Sequence, residues 1–180
     1  MKKSIAISTL FVVLLSSCAP SLKVTCDYDR QADFAKFKTY SFAPETMNLP
    51  VNDLNKRRIL SEIETQLVTK GLSKTEGNGD LLVDVRVSAK ERKEATAYTS
   101  GGYGGYRYGG GFQSTSVNVQ TYVDGTLIIS LVDAAKKELV WQGTGVKTLD
   151  QNATSEKREK NISDAVAGIL AKYPPVVTKK

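Results

Sequence analysis

Asp27, Asp29 and Asp33 form the densest acidic group in the sequence. Side chains at alternate positions of a strand share a face, so the first two carboxylates are expected on one side of the chain. With a third carboxylate they could hold a Ca²⁺ ion, and they are also the candidate for the carboxylate pair of a glycoside hydrolase, although no glutamate lies at a recognisable spacing. The alternative, which we favour, is that they accept hydrogen bonds from backbone N–H groups in the turn after the strand and bind no metal.

The residue counts exclude several kinds of active site. The 180-residue chain has no histidine, which rules out Ser-His-Asp and Cys-His nucleophile systems and imidazole-bound zinc. Its two cysteines cannot build a disulfide framework or a four-thiolate site, and Cys26 is expected at a half-buried strand position. The net charge of +6 is modest and scattered, unlike the basic patches that bind nucleic acid. These observations predict a protein that is not an enzyme, uses no cofactor and binds no nucleic acid.

A segment rich in glycine and tyrosine interrupts the second half of the chain. Residues 101–111 read Gly-Gly-Tyr-Gly-Gly-Tyr-Arg-Tyr-Gly-Gly-Gly, without the Gly-Lys-Ser/Thr ending of a phosphate-binding loop. Glycines at this density give a flexible loop, predicted over 100–111. Two interpretations stay open. The loop is either an idle hairpin tip or a recognition loop that binds glycans or proteins through Tyr103, Tyr106, Arg107 and Tyr108.

The N-terminus is typical of an export signal. Two lysines precede an apolar run, Ile5 to Leu15, that is too short to span a bilayer, which needs about 20 residues. The following Leu15-Ser16-Ser17-Cys18 resembles the lipobox of bacterial lipoproteins. In that class the cysteine becomes the first residue of the mature chain and carries a diacylglycerol and a further acyl chain such as palmitate. The resemblance implies removal of residues 1–17 and lipidation of Cys18.

The residues after Cys18 refine the predicted location. In bacterial lipoproteins an Asp directly after the cysteine tends to retain the protein in the inner membrane, so Ala19 implies the outer membrane. The run up to Lys23 lacks the acidic cluster that some bacteria use to export lipoproteins to the cell surface, which favours the periplasmic face. Residues 18–22 are therefore predicted to be a short lipidated tether.

The remainder is predicted to be a single domain over residues 23–175, with a loose tail over 176–180. Alternating apolar residues between turn signals predict strands at 22–29, 39–42, 80–90, 113–123, 126–133 and 138–147. Apolar residues at helical spacing predict helices at 53–70 and 155–173, ended by Gly71 and by Pro174-Pro175. Trp141, in the last strand, is expected in the core rather than on the surface as a platform for sugars.

Asp124-Gly125 is typical of a two-residue hairpin turn. A turn there would place Val117 and Val119 on the face opposite to Leu127, whereas one long strand through Gly125 keeps these apolar side chains together. We favour the long strand, with a kink or bulge at Gly125.

The segregation of strands and helices predicts an α+β fold. We expect a two-layer sandwich in which an antiparallel, mainly meandering sheet carries two helices on its apolar face.

A set of short motifs, in their order along the chain, is similar to the domain-of-unknown-function 4136 family of bacterial lipoproteins. The motifs are Asp27-Tyr28-Asp29, Asp33-Phe34, Phe37-Lys38-Thr39-Tyr40, Asp80-Leu81-Leu82-Val83, Gly125-Thr126-Leu127, Leu131-Val132-Asp133, Leu139-Val140-Trp141-Gln142-Gly143 and Tyr173-Pro174-Pro175. They cover nearly all of residues 24–175. The resemblance implies a compact, secreted, lipid-anchored α+β domain, and it implies no activity.

The predicted function is that of a non-enzymatic binding or scaffolding module, anchored by lipid and facing the periplasm. Its partner would be another envelope protein or peptidoglycan. A carrier of a small apolar or glycan ligand, held between sheet and helices, is the alternative, and a hydrolase is the third. A solid core with an exposed aromatic loop would favour the first, a hollow apolar core the second, and a pocket with converging carboxylates the third.

Overall fold

A computed structural model describes residues 21–100 and 114–176. These ranges contain six strands and two α-helices: β1 Lys23–Tyr28, β2 Thr39–Phe42, α1 Asp53–Thr69, β3 Ser73–Lys74, β4 Leu81–Ser100, β5 Ser114–Asp133, β6 Glu138–Leu149 and α2 Ser155–Leu170. The predicted signal peptide, Cys18, the tyrosines of the Gly/Tyr loop and nearly all of the predicted tail lie outside the described residues. Within them, no helix is long and apolar enough to cross a membrane.

Both helices begin at a side chain that caps them. The Asn52 side chain accepts a hydrogen bond from the backbone N–H of Asn55 at the start of α1, and Thr154 caps α2 in the same way. The last turn of α1 leads into Gly71, whose φ of 80° suits the left-handed position that ends a helix. The backbone N–H of Leu72 then donates to the carbonyl of Leu67. The two helices thus lie close to where the sequence predicts them.

The strands form one mixed sheet in the order β1-β6-β5-β4-β2-β3. β4, β5 and β6 form an antiparallel meander, and β1 pairs antiparallel with β6. β2, however, runs parallel to both β3 and β4. The α+β class is confirmed. The expectation of an antiparallel, mainly meandering sheet is wrong where β2 pairs with β3 and β4. The reason is that α1 carries the chain from the end of β2 back to the other end of the sheet, which makes the next strands parallel to it.

β5 is one continuous strand. Ala89 pairs with Gly125 in an unbroken β4–β5 ladder, so the long strand is the correct alternative. The irregularity lies elsewhere: the β5–β6 register shifts between Leu131 and Val132, and Val140 is the extra residue on β6. Val123, Leu127 and Leu131 consequently share the face of the sheet that the helices cover.

The core lies between that face and the two helices. α1 contributes Ile59, Ile63 and Leu67, and α2 contributes Val166, Ile169 and Leu170, all buried. α2 can approach β6 closely because glycine stands at Gly143, where a Cβ atom would lie 2.4 Å from the Trp141 ring and 2.5 Å from Ile169. Trp141 is fully buried, as a core position requires.

Cys26 is exposed, not half-buried. Its strand, β1, is the outermost strand of the sheet, so the cysteine has a neighbouring strand on one side alone.

Candidate functional site

β4 and β5 continue far beyond the rest of the sheet as a two-stranded arm, which we define as Arg92–Ser100 and Ser114–Tyr122. The pairing of β6 with β5 ends at Val123, and that of β2 with β4 ends at Val83. Among the described residues, the arm strands therefore pair with each other alone. At ~3.4 Å per residue, the arm extends about 30 Å. All its side chains over 92–98 and 116–121 are exposed.

The two faces of the arm differ in chemistry. The face continuous with the helix-covered side of the sheet carries the pairs Ala95–Val119 and Ala97–Val117. Val117 and Val119 are 61% and 57% exposed, among the most exposed large apolar residues of the described chain. The other face carries polar pairs and two tyrosines, Tyr98 and Tyr122. The first face also carries the polar pair Lys93–Thr121, so the arm is a ribbon with an apolar patch on one side and a polar surface on the other.

Asp124 fixes the base of the arm. Its carboxylate accepts a hydrogen bond from the Thr148 hydroxyl (2.7 Å) and one from Arg92 Nε (2.9 Å). These donors hold the pKa of Asp124 below its ordinary range. The guanidinium of Arg92 also lies over the Tyr122 ring, 5.2 Å from its centroid. Asp124 therefore links the first pair of the arm, Arg92–Tyr122, to Thr148 of β6.

An apolar groove of about 500 Å³ opens beside the base of the arm. Its floor is the helix-covered face of the sheet, and its walls are the start of α1 and the first half of α2. The main apolar residues that line it are Leu22, Val51, Ile59, Val87, Ala89, Val123, Leu127, Leu149, Ile162 and Ala165. Val123 and Ala89 belong also to the last rungs before the arm. On the same face, Glu91 and the pair Lys93–Thr121 then separate the groove from the apolar pairs of the arm.

A polar link between the helices holds the walls of the groove. Arg58 of α1 donates to the Ser155 hydroxyl at 3.0 Å and pairs with Glu159 of α2 at 3.4 Å. The helices are linked here near their N-terminal ends, while the fully buried residues of α2, Val166, Ile169 and Leu170, lie toward its C-terminal end. The groove is the space left between the sheet and this linked pair of helix starts.

The rim of the groove has a surplus of positive charge. Lys147 donates to the side-chain oxygen of Asn161 (2.8 Å), and Arg158 lies on the same wall. The one carboxylate of the lining, Asp150, is already neutralised by Lys157, at 2.8 Å. This hydrogen bond and that from the backbone N–H of Asn152 lower the pKa of Asp150, so it is ionised. Among the described residues, Lys147 and Arg158 form no salt bridge, although the charge of Arg158 also contributes to the lowered pKa of Asp150.

The predicted acidic group does not converge on a site. Asp27 Oδ1 accepts from the backbone N–H of Tyr28, Asp29 Oδ1 from that of Gln31, and Asp33 Oδ1 from that of Ala35. The last bond caps a short 3₁₀ helix, Phe34–Lys36. Within the described ranges, no three acidic or cysteine side chains are placed to hold a metal ion.

A different carboxylate pair, Asp80 and Asp133, lines a concavity of about 550 Å³ at the end of the sheet opposite to the arm. Asp80 accepts from the backbone N–H groups of Lys38 (2.8 Å) and Thr39 (2.9 Å). Asp133 accepts from Lys36 Nζ (2.9 Å) and from two backbone N–H groups of the following turn. These donors lower the pKa of both carboxyl groups. A glycoside hydrolase of the two-carboxylate type needs one carboxyl group of raised pKa to act as the acid, and neither Asp80 nor Asp133 has one.

The Asp133 hydrogen bonds lead to a prediction about pH. A carboxyl group whose pKa is lowered by folding stabilises the fold at pH values above its unfolded pKa of about 3.9, and this stabilisation is lost as the pH falls through the folded pKa. Asp133→Asn should therefore lower the melting temperature at pH 7 and reduce its fall between pH 5 and pH 3, as followed by circular dichroism. Asp27→Asn, at a carboxylate with one local hydrogen bond, is the matched control and should behave like the wild type. Equal curves for all three proteins would show that Asp133 does not stabilise the fold.

Comparisons with known proteins identify similar folds but indicate no activity. The family model described as "Domain of unknown function (DUF4136)" matches residues 24–175. No curated protein matches the chain. A PDZ domain protein from Parabacteroides distasonis is similar over 99% of this chain and 41% of its own, with 16% identity and a TM-score of 0.52. A PelC dodecamer from Paraburkholderia phytofirmans is similar over 84% of this chain and 95% of its own, with 14% identity and a TM-score of 0.50.

At such low identity these likenesses show the fold alone. This chain spans about two fifths of the length of the Parabacteroides protein. What the arm and the groove do must therefore be argued from their own chemistry.

Proposed function

The chain belongs to the DUF4136 family, and we propose that it is a non-enzymatic binding module of the bacterial envelope, anchored by lipid on Cys18 and recognising its partner through the arm. The observation that carries this proposal is the exposed apolar face around Val117 and Val119. An isolated two-stranded hairpin is at best marginally stable in water, so an arm of about 30 Å gains from contact with another surface.

The arm is suited to a protein partner in two ways. Its outer strand edges present unpaired backbone groups, to which an extended segment of a partner can add as a further strand. Its apolar face offers surface to bury. Charged residues near the base, Lys90 to Glu94, are of the kind that keeps such edges from aggregating unspecifically. In the sequence, Tyr103, Tyr106, Arg107 and Tyr108 lie between the paired ends of the arm and would extend the same recognition surface. Another envelope protein fits this chemistry better than peptidoglycan.

The proposed anchor holds this surface close to the outer membrane, on the periplasmic side. β1 begins at Lys23, and Leu22 already lies against α2. The four residues 19–22 reach roughly 14 Å when fully extended. Spin labels on the domain should therefore be broadened by relaxation agents carried in lipid. Labels unaffected at every position would mean that the domain stands away from the leaflet.

Shortening the arm tests the proposal. With residues 92–122 replaced by Asn-Gly, Glu91 and Val123 flank a two-residue turn in their existing register. The melting temperature should be nearly unchanged, because the removed side chains bury little and loop closure costs about 0.6 kcal/mol per doubling of length. Crosslinks to the partner in isolated envelopes should disappear.

A second variant separates the arm from its tip. Changing Tyr103, Tyr106 and Tyr108 together to Ser removes the aromatic tip and leaves the arm intact. Loss of crosslinks in this variant as well assigns recognition to the tip, whereas their retention assigns it to the strands. A shortened protein that is folded and keeps every crosslink would refute the proposal.

The carrier of a small ligand is the second candidate. The groove between sheet and helices favours it, because a cavity of about 500 Å³ is of the size that binds small molecules in proteins. A hydrolase has no comparable support, because the carboxyl pKa values of Asp80 and Asp133 are both lowered.

A further inference from the structure

We propose that the groove binds the alkyl chain of a free long-chain fatty acid, with the carboxylate at Lys147 and Arg158. This inference rests on the carrier function and specifies its ligand. It is independent of the arm as a protein-binding surface.

The lining favours an alkyl chain over a sugar. Most residues that line the groove are aliphatic or glycine, among them Leu127 of the sheet and Ile162 of α2. Asn55, Ser88, Thr126 and Gln151 are further polar residues of the lining. Within the described residues, no aromatic side chain lines the groove, so the flat stacking surface that glycans prefer is missing. The polar side chain of Asn161 on the wall is already engaged by Lys147. A ligand with many hydroxyl groups would leave these unpaired, whereas a methylene chain would not.

The charge of the rim favours an anionic end group. Lys147 and Arg158 lie at the mouth on β6 and α2, and the carboxylate of Asp150 is taken by Lys157. An ammonium head group would meet surplus positive charge, and an alcohol would gain nothing from it. A carboxylate would form charge-assisted hydrogen bonds with either cation.

The position of Leu22 points to other acyl chains that could occupy the groove in place of a free fatty acid. Its side chain lines the groove, so the tether to Cys18 leaves the domain at this point. An acyl chain of the protein's own anchor, or of a membrane lipid, could reach the same place. The test therefore uses a chain without its own lipid and compares a free fatty acid with a bilayer.

The binding experiment uses the mature-length chain, residues 18–180, carrying Cys18→Ser, which contains the entire described fold. The probe is a dansyl-labelled undecanoic acid, whose fluorescence rises in an apolar site, and unlabelled competitors displace it. Competition should strengthen from laurate to palmitate, by up to about fourfold per methylene group, until the groove is filled. Hexadecanol should compete about tenfold less well than palmitate, and hexadecyltrimethylammonium less well still.

Two variants locate the site. Arg158→Glu should weaken palmitate about tenfold and leave hexadecanol unchanged, a difference that a merely structural effect would not give. Arg57→Glu, at an exposed position of α1 outside the groove, is the matched control and should change neither. Ala165→Phe should fill the groove and weaken both ligands, while Val68→Phe, on the exposed side of α1, should not.

Three other outcomes would overturn the inference, and each has a different meaning. If palmitate and hexadecanol compete equally and Arg158→Glu changes nothing, the groove is an apolar carrier site without preference for a fatty acid. If vesicles of phosphatidylglycerol displace the probe as well as palmitate does, the groove is a membrane contact. If the probe does not bind to the folded protein, both the ligand and the carrier function are refuted, and the arm remains to be judged by its own deletion.

Discussion

Trp141→Ala is expected to lower the free energy of unfolding by about 3–5 kcal/mol, the usual cost of removing a large aromatic side chain from a core. Trp141 is fully buried on β6, against the ring of Tyr173 with centroids 5.6 Å apart. Its ring lies beside Gly143, where Ile169 of α2 approaches the sheet. Neighbouring side chains cannot fill the space without moving α2, which is also a wall of the groove.

Leu139→Ala is the matched control for this loss. Leu139 lies two residues earlier on the same strand and is exposed, so its truncation should cost almost nothing. Trp141→Phe should fall between the two, because the buried Trp141 Nε1 has no hydrogen-bond partner among the described residues and its removal leaves nothing unpaired. Urea unfolding should be followed by far-ultraviolet circular dichroism, since the two Trp141 variants lack the single tryptophan of the chain. Equal stability of the Trp141→Ala and Leu139→Ala proteins would contradict the packing of α2 on β6.

Cys18→Ala is expected to abolish lipidation and membrane anchoring altogether. Stable anchoring by lipid needs at least two acyl chains, because each buried methylene contributes about 0.8 kcal/mol and a single chain holds a protein only reversibly. A lipobox cysteine would carry all of these chains. In cells labelled with a fatty-acid analogue, the wild-type protein should carry the label and lie in the membrane fraction. The Cys18→Ala protein should be unlabelled, and it should remain uncleaved or be mislocalised.

Cys26→Ala provides the control for thiol chemistry in general. Cys26 is the other cysteine of the chain, is exposed on the edge strand β1, and follows no lipobox. This variant should be labelled and anchored like the wild type. Label that persists on the Cys18→Ala protein, or disappears from the Cys26→Ala protein, would exclude the proposed anchor.

The helices and the buried strands could be predicted from the sequence because they have one apolar face. β2 has the predicted bounds, 39–42, and α1 begins at the predicted Asp53. α2 likewise begins at the predicted Ser155, with the preceding Thr154 as its cap. The direction of β2 could not be predicted, because alternation reports which side chains are buried and not which strand pairs with which.

The β5 half of the arm lies within the predicted strand 113–123, whereas the β4 half, beyond Lys90, escaped prediction for a related reason. The segment from Lys90 to Glu94 is a run of charged residues, and its partner strand alternates only weakly. A strand that packs against no core does not need to alternate apolar and polar residues. The alternation that predicts a strand therefore ends where the core ends. The apolar pairs Ala95–Val119 and Ala97–Val117 were the available signal, and they become visible only once the register is known.

A ligand site between sheet and helices was predicted only as an alternative, and the residues that line the groove could not be predicted. Leu22, Val51, Leu127 and Ala165 lie far apart in the sequence, and each has the ordinary pattern of a core residue. Whether such residues close a core or leave a groove depends on how far the helices stand from the sheet, which is a property of the packing. The acidic group, in contrast, accepts hydrogen bonds from local backbone N–H groups, as the favoured interpretation predicted.

Site-specific photo-crosslinking in living cells tests most directly the central claim, that the arm is the recognition surface. A photoreactive residue at Val119 on the apolar face of the arm should give a discrete adduct with one envelope protein. The same residue at Val68 of α1 is the matched control, because the two positions are 57% and 60% exposed and differ in location. The proposal predicts an adduct at Val119 and none at Val68. Equal adducts at both positions, or none at Val119 in a folded and anchored protein, would contradict it.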